Sequence, residues 1–217
     1  MKKYTTVLFD LDGTLIDSGI GVTSSVAYAL EKMGITPPSR NELFKFIGPP
    51  LFQSFSEFYG FDENETDKAI EYFREYYKEK GVYECVMYDG IIELLKSLKS
   101  KGYKLALATS KAENFAKEIV KFKGFLPYLD YVAAASADEK SRATKDAVME
   151  YALELCCEKD KSKIIMVGDR HFDINGAKKH SLDSIGVTYG YGDEKELKEA
   201  GATYIVNTAN EIDELLK

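Results

Sequence analysis

Short apolar runs that alternate with helical patterns are the feature of this sequence that most restricts its fold. Four predominantly apolar runs are too short for helices and are typical of strands buried on both faces of a sheet; they span 7–9, 104–108, 163–167 and 184–187. Weaker strand patterns occupy 131–134 and 204–206. Helical periodicity fills most intervals, at 91–99, 112–122, 145–155 and 173–180. This alternation predicts an α/β fold, with a Rossmann-like parallel sheet covered by helices.

The region that follows the first run has a different pattern. Residues 20–82 contain no good strand but several helical segments, at 22–33, 41–46, 52–59 and 65–80. Gly34 and the Gly48-Pro49-Pro50 turn separate some of them, because glycine and proline interrupt helices. We therefore predict an all-helical insertion at residues 18–83, within an α/β core formed by residues 1–17 and 84–217.

The charge of the chain limits its partners. Its 29 Lys and Arg residues against 36 Asp and Glu residues give a net charge of −7. An acidic surface repels phosphate backbones and anionic lipid, so we expect neither a nucleic acid polymer nor a membrane as partner. No apolar run approaches the roughly 18 residues of a membrane-spanning helix. The sequence leaves monomer and small homo-oligomer open.

Cysteine usage bears on the compartment. The three cysteines, Cys85, Cys156 and Cys157, cannot all pair with one another, and the last two are adjacent. They are typical of reduced thiols in a reducing compartment. We expect a cytoplasmic protein.

Reactive polar residues follow four of the predicted strands. They are Asp10 with Asp12, Thr109 with Ser110, Asp169, and Thr188. Ligands of open α/β sheets bind beyond the carboxyl ends of the strands, so these side chains are expected near one another. Two carboxylates about 4 Å apart repel by about 4 kcal/mol at an effective dielectric constant near 20. A divalent cation would relieve this repulsion, and oxygen ligands favour Mg²⁺ over zinc.

Several strings of residues resemble one family in their order along the chain. The first is Val-Leu-Phe-Asp-Leu-Asp-Gly-Thr-Leu-Ile-Asp-Ser at 7–18, followed by Leu-Ala-Thr-Ser-Lys at 107–111 and Val-Gly-Asp-Arg-His-Phe-Asp at 167–173. Together they resemble the haloacid dehalogenase superfamily, in its phosphatase branch. Lys145, at the start of a predicted helix, corresponds to the family lysine, and Lys140 is a rival for that role. The helical insertion corresponds to the family's cap domain.

The resemblance implies a Mg²⁺-dependent phosphomonoesterase. Asp10 would attack phosphorus and form an aspartyl-phosphate, and Asp12 would serve as general acid and then as general base. Thr109 would hydrogen-bond a phosphoryl oxygen, and Lys145 would stabilise the charge on the phosphoryl group.

The same resemblance implies a metal site. Asp10, Asp169 and the main-chain carbonyl of Asp12 would hold Mg²⁺. Asp173 would orient Lys145 or support the metal ligands.

Two strings point to a group within the phosphatases. Phe-Ile-Gly-Pro-Pro-Leu at 46–51 and Lys-Ser-Arg-Ala-Thr-Lys at 140–145 resemble the phosphoglycolate phosphatase-like group, which includes members called 5′-nucleotidases. Residues 135–139 lack the glycine common in that group's loop. The expected substrate is a small phosphorylated metabolite of the phosphoglycolate or nucleotide type. Substrate-binding candidates are Ser110, which could instead cap a helix, with Gly48, Phe52 and Phe55.

Two other functions remain open. A phosphosugar mutase of the same superfamily would protect its aspartyl-phosphate from water. A non-catalytic, metal-dependent binding module could also use this fold. The hinge-like connections near 17–20 and 82–88 predict opening and closing of the cap.

Overall fold

The computed structural model describes residues 3–137 and 141–217. Its centre is a six-stranded parallel sheet with the order β5-β4-β1-β6-β7-β8. The strands are β1 (Thr6–Phe9), β4 (Lys104–Ala112), β5 (Tyr131–Ala135), β6 (Ile164–Gly168), β7 (Asp183–Val187) and β8 (Tyr204–Val206). The predicted α/β fold with a parallel sheet is confirmed. Lys140, the alternative site lysine, lies outside the described residues.

Both faces of the central strands are buried. In β1, Val7 and Phe9 belong to the larger apolar core, whereas Leu8 packs into a second core on the opposite face. Side chains of a strand alternate between its two faces, so a continuously apolar run is required where helices cover both. The polar residue that follows such a strand is thereby delivered to the carboxyl edge of the sheet.

Helices cover the sheet on its two faces. They are α5 (Ile91–Ser100), α6 (Glu113–Phe122), α7 (Lys145–Cys156), α8 (His171–Lys179), α9 (Glu194–Ala200) and α10 (Ala209–Leu215). The sequence analysis did not predict α9 and α10. Each begins after a side chain that accepts a hydrogen bond from the third following main-chain N–H, Asp193 for α9 and Thr208 for α10. Such capping residues are a sequence signal for a helix start.

An all-helical segment is inserted after the first strand, as predicted, and we call it the cap. It contains α1 (Gly19–Lys32), α2 (Arg40–Leu43), α3 (Leu51–Tyr59) and α4 (Glu63–Tyr76), with a 3₁₀ turn at Phe44–Phe46. Two short strands that were not predicted, β2 (Ile16–Asp17) and β3 (Val86–Met87), flank it and pair antiparallel. The exact boundaries, 18–83, stay a prediction.

The last turn of the cap is a π-helix at Tyr77–Gly81, where the sequence predicted a continuous α-helix to residue 80. Gly21 and Gly81 meet there so closely that a Cβ on Gly21 would lie 2.1 Å from the Gly81 carbonyl oxygen. Helix α1 and the π-turn therefore pack backbone against backbone. Single π-turns often occur near functional sites, and this one turns the Tyr77 side chain towards the core.

Among helices formed by residues 3–137 and 141–217, none has the length and apolar character needed to cross a membrane.

Candidate active site

Three buried carboxylates meet at the carboxyl edge of the sheet. Asp10 follows β1, Asp169 follows β6, and Asp173 lies in the first turn of α8. One oxygen from each lies within 4.8 Å of the others. The Asp10 N–H donates to the Val167 carbonyl at 2.9 Å, which extends the β1–β6 pairing by one residue. Neighbouring parallel strands therefore fix the relative positions of Asp10 and Asp169.

Burial makes this acidic cluster electrostatically unfavourable on its own. Burial raises the pKa of Asp10 to about 7, even though the Lys145 ammonium opposes the shift. Burial also raises the pKa of Asp169 well above its usual value, and the neighbouring Asp173 and Asp10 add to the effect. Charged carboxylates lose hydration here and repel each other, so the cluster binds protons or cations readily.

Lys145 supplies one positive charge to the cluster. Its Nζ lies 2.5 Å from Asp10 Oδ1 and 2.9 Å from Asp173 Oδ1, and it donates to the Ala108 carbonyl at 3.0 Å. Burial alone would lower the pKa of this ammonium, but Asp10 and Asp173 raise it above its usual value. Lys145 is the first residue of α7, so the helix start fixes its position.

A glycine-rich loop, residues 189–192, encloses Asp169. The Tyr191 N–H donates to Asp169 Oδ2 at 2.8 Å. A Cβ on Gly13, whose φ is +86°, would lie 2.1 Å from the same oxygen, and one on Gly190 would lie 2.5 Å from it. The sequence analysis missed this loop, although its Gly-Tyr-Gly pattern shortly after a strand marks close backbone approach.

The cluster fits a hard divalent cation. Its donors are carboxylate oxygens, and the single ammonium of Lys145 does not balance three carboxylates. Burial, with a smaller contribution from mutual repulsion, raises the pKa values of Asp10 and Asp169. Oxygen donors and negative charge are what Mg²⁺ requires. Asp10, Asp169 and Asp173 are the side chains that could hold it.

The carboxylate of Asp12 is not a member of that cluster. Its Oδ2 pairs with Lys111 Nζ at 2.9 Å, and its Oδ1 is buried without a hydrogen-bond partner among the described residues. Lys111 also lies 4.8 Å from the centre of the Tyr77 ring. The predicted contribution of Asp12 to a metal site through its main-chain carbonyl stays a prediction, and its side chain lies beside Lys111.

A cleft lies between the acidic cluster and the cap. From the core it is lined by Asp10, Asp12, Thr109, Ser110, Lys111, Ala112 and Phe115. From the cap it is lined by Val22, Phe46, Ile47, Gly48, Pro49, Pro50, Leu51, Phe73 and Tyr77. The structure thus brings Ser110 and Gly48 to the same cleft as Asp10, Asp12 and Thr109.

Phe52 and Phe55, the other two substrate-binding candidates, are not among the residues that line the cleft. Phe55 is fully buried, with ring centres of Phe46 and Phe61 at 5.0 and 6.1 Å. The structure therefore does not bring Phe55 to the cleft, because its ring packs within the cap, and its substrate-binding role stays a prediction. Phe52 is partly buried and packs against the apolar core. The sequence shows that both residues lie on a helix and are apolar, but it does not indicate which side of that helix meets the cleft.

The end of β4 carries Thr109 and Ser110 on an irregular stretch. The register with β5 shifts between Thr109 and Ala112, and the Thr109 hydroxyl accepts the Lys111 N–H at 3.2 Å. Such bulges redirect side chains beside active sites. Helix α6 begins at Glu113 with Ala112 as its N-cap, so Ser110 does not cap it.

Thr188, which the sequence grouped with the strand-end residues, lies elsewhere. Its hydroxyl donates to Asn207 Oδ1 at 2.8 Å, between β7 and β8. It therefore takes part in holding the edge of the sheet.

Comparisons with known proteins agree with this architecture. The family model described as "Haloacid dehalogenase-like hydrolase" matches residues 7–187. A Pseudomonas aeruginosa protein named 5′-nucleotidase is 39% identical over 205 residues, which are 93% of this chain and 90% of that protein. Tyrosine-protein kinase PtkA of Mycobacterium tuberculosis is 36% identical over 209 residues, 96% of this chain and 70% of PtkA.

The fold has a near match among solved structures. A phosphatase from Clostridium acetobutylicum, described as predicted, superimposes with a TM-score of 0.94 at 48% identity, covering 98% of this chain and 97% of that one. The chain therefore belongs to the haloacid dehalogenase-like hydrolase family and to its phosphatase branch.

Proposed function

We propose that this chain is a Mg²⁺-dependent phosphomonoesterase that acts on a small phosphorylated metabolite through an aspartyl-phosphate at Asp10. The observation that carries the proposal is the position of Asp10. It lies in the cleft beside two further buried carboxylates, with one of its oxygens held by Lys145. A carboxylate that is oriented in this way can act as a nucleophile towards phosphorus.

In the first step, an oxygen of Asp10 attacks phosphorus as the bond to the leaving-group oxygen breaks. Asp12, two residues along and lining the same cleft, gives its proton to that oxygen. Asp12 is paired with Lys111 in this structure, so the leaving group must displace this contact on entry. Thr109, which also lines the cleft, donates a hydrogen bond to a phosphoryl oxygen.

In the second step, Asp12 takes a proton from water. The water oxygen attacks phosphorus, and the bond to Asp10 breaks to release inorganic phosphate. Lys145 stabilises the returning carboxylate of Asp10, as its 2.5 Å contact allows. Asp173 holds Lys145 in place from the other side at 2.9 Å.

Mg²⁺ would be held by Asp10 and Asp169, with Asp173 beside them. When bound, it neutralises negative charge on the phosphoryl group, which is the main requirement of phosphoryl transfer.

The leaving group is proposed to be of the nucleotide type rather than phosphoglycolate. Among the described residues that line the cleft, those from the cap carry no charge, and the core residue Lys111 is already paired with Asp12. Lys45 of the cap lies with its ammonium 4.3 Å from the Phe58 ring centre and does not line the cleft. An apolar wall suits a base or another apolar group better than a second carboxylate.

The same wall argues against a phosphosugar mutase, because the second phosphate of a mutase intermediate would need a positively charged partner there. A non-catalytic binding module is disfavoured by the carboxylate, ammonium and hydroxyl groups that converge around Asp10. The name of the Pseudomonas aeruginosa relative, 5′-nucleotidase, supports the nucleotide-type substrate.

A phosphate-release screen tests the proposal. Nucleoside 5′-monophosphates, phosphoglycolate, glucose 6-phosphate and para-nitrophenyl phosphate are compared with Mg²⁺ or with EDTA. Asp10→Asn should lower kcat by at least about a thousandfold, because the nucleophile is lost. Asp183→Asn is the matched control, since Asp183 is on the same sheet but pairs with Lys3 at the opposite edge.

A second measurement locates the intermediate. Borohydride reduces an acyl phosphate to an alcohol, so a trapped aspartyl-phosphate would appear by mass spectrometry as homoserine at position 10. Wild-type rates of phosphate release in Asp10→Asn would refute the proposal.

A further inference from the structure

One side chain of the core reaches across to the cap beside the cleft. Arg170 directly follows Asp169, and its Nη1 donates to the main-chain carbonyl of Ile47 in the cap at 3.1 Å. Its Nε lies 2.9 Å from Glu196 Oε1 in α9 of the core. A planar guanidinium can donate in two directions at once, so it can bind a carboxylate and a carbonyl together.

Arg170 is anchored tightly on the core side. Glu196 Oε1 also accepts the His171 N–H at 2.8 Å, and His171 Nδ1 lies 2.6 Å from the same oxygen. The Arg170 N–H itself donates to Asp173 Oδ2 at 3.2 Å. A Cβ on Gly192 would lie 2.0 Å from the Asp169 carbonyl oxygen and 3.3 Å from Arg170 Cδ, so the arginine stem runs through a close-packed passage.

The cap residues that Arg170 holds form part of the cleft. Ile47 precedes Gly48, whose φ of +107° is favourable only for glycine, and both line the cleft with Pro49. A Cβ on Gly48 would lie 3.7 Å from Arg170 Cγ and 3.8 Å from Phe172 Cδ2. The turn thus rests on the arginine stem and the Phe172 ring.

A second core residue supports the segment just before this turn. The Tyr191 ring centre lies 6.0 Å from that of Phe44, and the Tyr191 hydroxyl donates to Asp17 Oδ1 at 2.5 Å. The Tyr191 N–H binds Asp169 Oδ2. Residues next to or bonded to Asp169 therefore contact the cap segment 44–48 at two points.

We propose that Arg170 is a positioning residue that holds the Ile47–Gly48 turn in place as the leaving-group wall of the cleft. The inference rests on the proposed function, since that function makes this wall the surface that the leaving group meets. Arg170 itself does not line the cleft and is not expected to contact the phosphoryl group. Its loss should therefore weaken the binding of the leaving group while sparing the chemistry at Asp10.

Arg170→Met tests this, because methionine keeps part of the apolar stem and removes both donated hydrogen bonds. Charge-assisted hydrogen bonds are strong enough that KM for a nucleoside 5′-monophosphate should rise about tenfold, with kcat changed by less than about threefold. The inhibition constant of inorganic phosphate, which lacks a leaving group, should not change. Hydrogen exchange at residues 44–51 should become faster.

Two further variants separate positioning from damage to the fold. The KM of Arg170→Lys should lie between those of the wild type and Arg170→Met, since lysine can still donate to one of the two partners. Glu196→Gln loosens the anchor without altering the residue next to Asp169, and should shift KM and exchange in the same direction but less.

The matched control is Arg142→Met. Arg142 also donates to a main-chain carbonyl, that of Ala134 at 2.8 Å, and approaches a glutamate, Glu113 at 3.6 Å, but both partners belong to the core. Exchange at residues 44–51 should stay at the wild-type rate in this variant. The exchange measurement needs no catalysis, so it tests the contact even if the proposed phosphatase activity fails.

Two outcomes would overturn the inference. Unchanged KM and unchanged exchange at residues 44–51 in Arg170→Met would show that the contact does not position the turn. A rise in the phosphate inhibition constant parallel to KM would place the effect at the acidic cluster instead.

Discussion

The two walls of the cleft differ in almost every physical respect. The core wall carries carboxylates, a hydroxyl and an ammonium, for example Asp10, Thr109 and Lys111, whereas the cap wall presents apolar groups such as Phe46 and Leu51. Phosphoryl transfer depends on fixed charges, and selection of a leaving group depends on shape and on the removal of water. The proposed function therefore assigns the two tasks to different parts of the chain.

The supports of the two walls differ as well. Asp10 and Asp169 follow adjacent strands that are hydrogen-bonded along their length. The cap wall is connected to the core through β2 and β3 and through side-chain contacts such as that of Arg170 with Ile47. Sites built on strands are held more precisely than sites on loops. We therefore expect the proposed chemistry to lie on the more rigid wall, whereas the position of the cap wall depends on contacts such as that of Arg170 with Ile47.

Among the variants that test this comparison, the largest effect is expected from removing Lys145, the ammonium that pairs with Asp10 behind the core wall. Lys145→Met leaves Asp10 and Asp173 buried without their counter-charge, which should lower the free energy of unfolding by about 3–5 kcal/mol. It should also lower kcat by a factor on the order of 100–1,000, because a donor to the reacting groups is lost. Urea unfolding at pH 8 in EDTA measures the first effect, and phosphate release the second.

Lys99→Met is the control for that variant. Lys99 also pairs with an aspartate, Asp130 at 2.8 Å, but both side chains are about one-third exposed. Its loss should lower the free energy of unfolding by only about 0–1 kcal/mol. If both substitutions lowered the free energy of unfolding equally, the buried ion pairs of Lys145 would be no more important than an exposed surface ion pair.

Metal binding to the acidic cluster should stabilise the fold in a pH-dependent way. The pKa of Asp10 is raised by burial from 3.8 to about 7, and that of Asp169 is also raised. Such carboxyls hold protons more firmly in the folded chain than in the unfolded one. The free energy of unfolding of the metal-free protein should therefore fall as the pH rises from about 4 to about 7. Mg²⁺ bound at the proposed site would compete with those protons. At about a hundredfold excess over its Kd at pH 8, it should add about 2.7 kcal/mol to the free energy of unfolding.

The same Mg²⁺ concentration should add less at pH 5, where the carboxyls are protonated. Unfolding curves with Mg²⁺ and with EDTA at both pH values give the two increments, and other titrating groups cancel in the difference. Asp169→Asn should reduce the increment at pH 8. An increment that is as large at pH 5 as at pH 8 would mean that Mg²⁺ binds elsewhere.

Local sequence patterns indicated the acidic cluster and its lysine, because each of these groups occupies a defined place in a regular element. Asp10 and Asp169 directly follow buried strands, and Lys145 begins a helix. The position of a residue in a parallel strand determines the edge at which its successor lies, so the meeting of these groups could be predicted. The Asp12–Lys111 pair could not, because it depends on the irregular end of β4.

The residues of the cap wall could not be identified in this way. Phe46, Leu51 and Phe73 line the cleft, whereas Phe55 is buried among aromatic rings, yet all four have the same apolar character in the sequence. Which of them meets the cleft is decided by how the cap helices pack on one another and on the core. Arg170 was missed for a similar reason, since its partner Ile47 is 123 residues away along the chain.

The smallest expected effect is a change of selectivity at the cap wall. Leu51 begins α3, is partly buried and lines the cleft. Leu51→Lys adds a positive charge there, which should favour an anionic leaving group by about 1.4 kcal/mol, or about tenfold in kcat/KM. The ratio of kcat/KM for phosphoglycolate to that for a nucleoside 5′-monophosphate should rise by this factor.

Leu126→Lys, at a leucine that is 57% exposed and does not line the cleft, should leave the ratio unchanged. The shift should also weaken in high salt, since a charge near an open cleft is screened. If Leu51→Lys left the ratio unchanged while Lys145→Met abolished turnover, selection of the leaving group would belong to the core wall too, and the division between the two walls would fail.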